Sequence, residues 1–177
     1  MAAKAKNFGF LPVAVAVPPV KVGNVEFNTE QIIQFASRAA KEGAALVVFP
    51  ELALTGYTVA DLFHQRALLA EIRPAIERIE KFSGKIRAVI VVGAPVETSG
   101  KLFNCGVVIS GGKTRGIVPK SYIPGYKEFY EERWFSAARD LGTKEINWGG
   151  RKVPIGTDLL FHIANHPEAI LGVEICE

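Results

Sequence analysis

A chain of 177 residues with 49% apolar residues and a formal net charge of +3 has the size and make-up of one ordinary globular domain. The charge is too small to suggest nucleic acid, and the Lys and Arg are scattered without a basic run or an interleaved aromatic stripe. Two distant cysteines, Cys105 and Cys176, make neither a disulfide framework nor a zinc site, and a reducing cytoplasm suits them better than secretion.

The apolar stretch at residues 8–20 follows Lys4 and Lys6, but Pro12, Pro18 and Pro19 interrupt it and it is too short to span a membrane. It contains instead a first strand over 11–17, alternating and rich in Val, which Pro18-Pro19 ends. Asn28-Thr29-Glu30 offers a helix cap, and Ile32, Ile33, Phe35, Ala36, Ala39 and Ala40 follow at helical spacing up to Gly43. Residues 44–49 form a continuous apolar run, which predicts a strand covered on both faces and ended by Pro50-Glu51. A loop passes through Thr55-Gly56-Tyr57.

An amphipathic helix is predicted over 61–82, with Leu62, Leu68, Leu69, Ile72, Ile76 and Ile79 as its inner face. Pro74 should kink or divide it. Residues 86–92 predict a third strand. Strands over 103–110 and 113–118 pair as a hairpin through Gly111-Gly112. Residues 121–135 mix aromatic and charged side chains, a composition common in loops that line sites. A turn at 147–150, a short strand at 151–153 and a strand at 159–164 follow. A final strand at 169–175 reads as buried. The order β-α-β-α-β, then a hairpin, then further strands indicates an α/β layer protein. The last strand has no helix after it, so one face of the sheet is expected to lie uncovered.

Three apolar runs end in reactive side chains: Glu51 after Phe49-Pro50, Lys120 after Val118-Pro119, and Cys176 between Glu174 and Glu177. Groups beyond the carboxyl ends of strands are where α/β sheets place their chemistry. A carboxylate there can take the thiol proton and later activate a water. A nearby cation favours thiolate and stabilises a developing oxyanion. Each residue also has an ordinary reading: Glu51 as a solvated acid or helix cap, Lys120 as a surface lysine, Cys176 as a packing residue. Cys105, within Phe103-Asn104-Cys105-Gly106-Val107, fits the packing reading well.

Other motifs fail. Ser110-Gly111-Gly112-Lys113-Thr114 resembles the tail of a phosphate-binding loop, but Val107 stands where that loop needs its first Gly. No dinucleotide fingerprint follows a strand. His162 and His166 lack a third partner for a metal.

Taken together, the segments Val47-Val48-Phe49-Pro50-Glu51-Leu52 with Thr55-Gly56-Tyr57, Val118-Pro119-Lys120, and Val173-Glu174-Ile175-Cys176-Glu177 resemble the nitrilase, or carbon–nitrogen hydrolase, superfamily. The runs 119–131 and 156–161 resemble in particular the glutamine-hydrolysing domain found in glutamine-dependent NAD(+) synthetases. The resemblance implies a nitrilase-like α-β-β-α sandwich, here ending after the nucleophile strand. Residues 1–177 would be the N-terminal part of that domain, with the rest of it and a synthetase domain outside this chain.

It implies Glu51 as general base, Lys120 as oxyanion support and Cys176 as nucleophile. Tyr126 falls on the glutamine-contacting tyrosine, and Tyr57, Phe129 and Glu177 are further pocket candidates. The implied activity is hydrolysis of glutamine through a thioester, without a cofactor. The ammonia would serve ATP- and Mg-dependent amidation of deamido-NAD on the synthetase domain. Implied partners are glutamine, that domain and further copies of the chain, in the cytoplasm. A free-standing amidase or carbamoylase of the same superfamily, or an inactive fragment that only associates, are the alternatives.

Overall fold

The computed structural model describes residues 10–164 and 166–176. Its elements in chain order are β1 (Val13–Val15), α1 (Val25–Lys41), β2 (Leu46–Val48), α2 (Arg66–Ser83), β3 (Val89–Thr98), β4 (Lys101–Ser110), β5 (Lys113–Pro119), β6 (Glu145–Trp148), β7 (Arg151–Pro154), β8 (Leu160–Ile163) and β9 (His166–Gly172). A 3-10 segment, Tyr57–His64, precedes α2, and short 3-10 turns occupy Glu131–Arg133 and Ala138–Asp140.

The main sheet runs in the order β1-β2-β3-β4-β5, parallel across β1, β2 and β3 and antiparallel thereafter. Its register sorts the side chains. Ala14, Val47, Ile90 and Ile109 share the face covered by α1 and α2, where Ile32, Ala36, Ile72, Ile76 and Ile79 complete the core. Leu46, Val91 and Val108 share the other face, where Phe161, Leu171 and Val173 lie against them. Burial on both sides explains the unbroken apolar runs of β2 and β3.

The expected open face is therefore covered at its centre by the β8–β9 hairpin and exposed at the β1 edge, where Val13 and Val15 face solvent. Among the described residues, no helix is long and apolar enough to cross a membrane.

Several elements differ from the sequence reading. The α1 cap is Asn24, one turn early, whose side chain accepts from Phe27 N at 2.9 Å. Asn28 lies inside the helix and is buried, donating to Leu54 O and Lys21 O at 2.9 Å. Such a residue satisfies backbone of a neighbouring loop instead of capping its own helix. Helix α2 begins at Arg66, so Asp61 and an exposed Leu62 belong to the 3-10 segment, and the helix runs undivided through Pro74. Strand β3 continues past Gly93 and Pro95 to Thr98 and joins β4 through Ser99-Gly100, both at positive φ. The predicted hairpin through Gly111-Gly112 is present, with φ of 58° and 81°. The last strand departs most. Among the described residues, strand β9 pairs only with β8; it is half-exposed and stops at Gly172, so residues 173–176 lie outside any ladder. It packs through one face alone, which leaves Ile170 in solvent.

Candidate active site

Glu51 is carried by a tight turn that follows β2. Ala53 N donates to Pro50 O at 3.2 Å and Gly56 N to Leu52 O at 2.8 Å, with Leu52 itself at φ 52°. The turn is pressed onto β3, where Leu54 N donates to Gly93 O at 3.2 Å. A side chain at Gly93 would run into the backbone of Pro50, Glu51 and Leu52. Only glycine permits that approach, so an unremarked residue of an apolar strand positions the acid.

Lys120 follows β5. Its N–H donates to Asn104 O at 2.7 Å and its carbonyl accepts from Ala138 N at 2.9 Å. The side chain is 1% exposed, and its Nζ donates to Glu51 Oε1 at 2.8 Å and to both oxygens of Glu131 at 2.8 and 2.9 Å. A buried ammonium needs such compensation. Glu131, supplied by the 3-10 turn after the aromatic loop, also accepts from Tyr57 OH at 2.7 Å. Asn104 Nδ2 donates to Glu51 Oε1 and, at 3.5 Å, to Glu131. Asn104 Oδ1 is buried with no partner among the described residues.

Two carboxylates around one ammonium leave a net negative charge. Burial pulls the Lys120 ammonium down, but hydrogen bonds and charges of Glu131 and Glu51 outweigh it, and the net direction is upward. Lys120 therefore stays charged. Burial, then the Glu131 hydrogen bond, pushes the Tyr57 hydroxyl up, so it remains a donor. The two acids are not equivalent: Glu131 is 2% exposed and Glu51 23%. Glu51 alone of the pair opens to a cleft.

That cleft, of about 170 Å³, is lined by Glu51, Gly93, Gly106, Val173 and Cys176, among others. Cys176 is exposed and takes φ 46°, turning the chain after the strand has ended. Cys105 also lines the cleft but is fully buried, and burial pushes its thiol up, keeping it protonated and inert. Larger clefts of about 470 and 450 Å³ meet at Arg73, Glu97 and Trp148 and share no residue with this cluster. No group of His, Cys, Asp and Glu that could hold a metal occurs among the described residues.

The structure thus brings Glu51 and Lys120 into contact and puts Cys176 on the wall that Glu51 shares. Tyr57 joins through Glu131. Tyr126 and Phe129 stack edge-on at 6.1 Å in the exposed loop, and the Lys120 cluster is built without them. Glu177 lies outside the described residues. Sequence reasoning missed Glu131 and Asn104. Asn104 had a signal, a polar residue inside an apolar strand. Glu131 had none that separated it from Glu128 and Glu132.

Residues 12–177 match the family model for carbon-nitrogen hydrolase. A glutamine-dependent NAD(+) synthetase of Mycobacterium tuberculosis is 40% identical over 173 residues, which is 98% of this chain and 25% of that protein. A crystal structure of a glutamine-dependent NAD(+) synthetase from Cytophaga hutchinsonii has a TM-score of 0.80 at 25% identity, over 93% of this chain and 27% of that one. A mutant of the amidase from Nesterenkonia sp. AN1 shares the fold at a TM-score of 0.63 and 19% identity, covering 81% of this chain and 54% of that one; its structure shows covalent addition of the acetamide moiety of fluoroacetamide at the active site cysteine. The chain spans about a quarter of the length of the curated relatives it matches. Nearly full coverage by the family model, and a fold shared with both synthetases and amidases, lead to one conclusion: the chain belongs to the carbon-nitrogen hydrolase family.

Proposed function

We propose that this chain hydrolyses the side-chain amide of glutamine and forms the glutaminase part of a glutamine-dependent NAD(+) synthetase. The observation that carries the reading is Glu51, which touches buried Lys120 at 2.8 Å and lines the same cleft as Cys176. The names of the relatives support the substrate, and the covalently modified cysteine of the amidase supports a thiol nucleophile in this fold.

In the proposed mechanism the Cys176 sulfur attacks the amide carbon and Glu51 accepts the thiol proton. Lys120, charged and fixed, stabilises the tetrahedral oxyanion. The C–N bond then breaks as Glu51 returns the proton to the leaving nitrogen. Ammonia departs and a γ-glutamyl thioester remains. Glu51 next takes a proton from water, whose oxygen attacks the thioester carbon. The C–S bond breaks, glutamate leaves and the thiol is restored. Glu131 and Asn104 hold Glu51 and Lys120 in place, while Tyr57, Tyr126, Phe129 and Glu177 are the side chains proposed to meet glutamine. The hydrolysis needs no cofactor. ATP and Mg belong to amidation on a synthetase domain, to which the ammonia would pass. Self-association and a cytoplasmic location complete the reading.

The test is intact mass and peptide mapping after exposure to a diazo-ketone analogue of glutamine. A single adduct on Cys176, lost in Glu51→Ala and Lys120→Ala, is expected. Equal labelling of Cys105 and Cys176 regardless of Glu51 would sink the reading. Faster turnover of simple amides than of glutamine would instead make the chain a general amidase.

A further inference from the structure

Two segments distant in sequence run side by side outside the Lys120 cluster: the 3-10 segment Tyr57–His64 and the turn Glu131–Arg133 with the two residues after it. Three sets of contacts tie them in order. Tyr57 OH donates to Glu131 at 2.7 Å. Asp61 accepts from Arg133 Nε at 2.6 Å, from Arg133 Nη2 at 2.9 Å and from the Trp134 indole at 2.9 Å. The Phe63 ring meets Trp134 at 5.9 Å and Phe135 at 4.8 Å. The backbone is bent to allow this. Ala60, just before Asp61, takes φ 55° and ψ −136°, a region that side chains other than glycine disfavour.

Exposure separates the parts. Glu131 reaches the buried ammonium, with Tyr57 behind it, whereas Asp61 and Arg133 are 60% and 64% exposed. An ion pair so exposed adds little to stability in water. Its bidentate geometry, with the indole as a third donor, fixes direction. Arg133 and Trp134 sit on the same tight turn as Glu131, with Trp134 N donating to Glu131 O at 2.9 Å. Arg133 and Glu131 are thus held on one tight turn.

We propose that Asp61 is a positioning residue, which by holding Arg133 and Trp134 fixes the turn that delivers Glu131 to Lys120, and so aligns Lys120 and Glu51 for the reaction at Cys176. The proposal deepens the glutaminase reading and rests on it. Asp61 acts through Glu131 and touches no reacting atom. Its removal is expected to act on the chemical step more than on substrate capture, because the groups it aligns are Lys120 and Glu51.

The test compares the chain with Asp61→Ala and Asp61→Asn, by the saturable rate of Cys176 labelling with the diazo-ketone analogue and by amide hydrogen exchange. In Asp61→Ala the maximal labelling rate is expected to fall about tenfold, as for a small misplacement of catalytic groups. The half-saturating concentration is expected to change less than the maximal rate, which separates misalignment of Lys120 and Glu51 from lost binding. Asp61→Asn, which keeps one acceptor oxygen, recovers part of the rate. Exchange over residues 131–135 speeds up in Asp61→Ala while the β3–β4 hairpin is unchanged. An unchanged maximal rate per folded molecule overturns the inference, and so does unchanged exchange at 131–135. Absence of label on the unaltered chain counts against the glutaminase reading instead, and the exchange comparison then decides by itself whether Asp61 fixes the Glu131 turn.

Discussion

Lys120 carries the densest physical argument at the level of single residues. It is a fully buried cation held by two acids, one of them buried equally. Its folded-state affinity for the proton is raised above the ordinary lysine value of 10.5. The sign follows by linkage: its contribution is present in full below 10.5 and is lost as pH rises through the higher folded value. Glu131→Gln removes a charged acceptor from Lys120, and should lower the urea unfolding free energy at neutral pH by about 2 kcal/mol. The gap between variant and parent should close on the alkaline side. A gap that stays constant with pH would show that Lys120 is not the group concerned. The sequence made Lys120 and Glu51 legible as run-ends. It could not pick Glu131, because only the fold brings one particular acid of the 128–132 stretch under Lys120.

One element is held by packing and another by charge. The Glu51 turn rests on Gly93 with no room for a methyl group. Gly93→Ala should displace that turn, cost about 1–3 kcal/mol as overpacking does, and abolish Cys176 labelling in the protein that still folds. Normal labelling would mean the turn tolerates the shift.

On the helix side, buried Glu80 of α2 accepts from Thr114 N at 2.8 Å and Thr114 Oγ1 at 2.7 Å, and pairs with Arg73 at 3.2 Å and Arg151 at 3.4 Å. Burial pushes its carboxyl up, but the Thr114 bonds and Arg73 more than offset that and the net direction is downward. Its stabilisation is therefore present above the ordinary value of 4.5 and lost as pH falls through the lower folded value. Glu80→Gln should flatten the acid limb of the stability curve, as thermal melts between about pH 3 and 6 would reveal. Retention of the full acid limb would assign it to other carboxylates.

For the molecule as a whole, the uneven cover of the sheet matters most. The β8–β9 hairpin shields Leu46, Val91 and Val108, but the β1 edge keeps Val15 80% exposed, beside exposed Val13 and Val17. An apolar edge strand is a template for association. The chain should self-associate with rising concentration by light scattering, and Val15→Lys should reduce it without lowering the melting temperature. Association unchanged by Val15→Lys would place the contact elsewhere.

The sequence by itself determined the α/β class, the order of the elements through the Gly111-Gly112 hairpin, and the ends of the apolar runs at Glu51 and Lys120. These follow from local rules: apolar periodicity, turn chemistry and the punctuation of Gly and Pro. Tertiary structure decided the rest. Asn28 reads as a cap but serves a neighbouring loop, and Asn24 takes its place. The apolar run at 169–175 reads as a buried strand, but its pairing with β8 leaves it half in solvent and ends it short of Cys176. The Glu51–Lys120–Glu131 cluster joins residues that nothing local connects. Local preference assigns an element its type, whereas burial of charge is resolved only where distant chain segments meet.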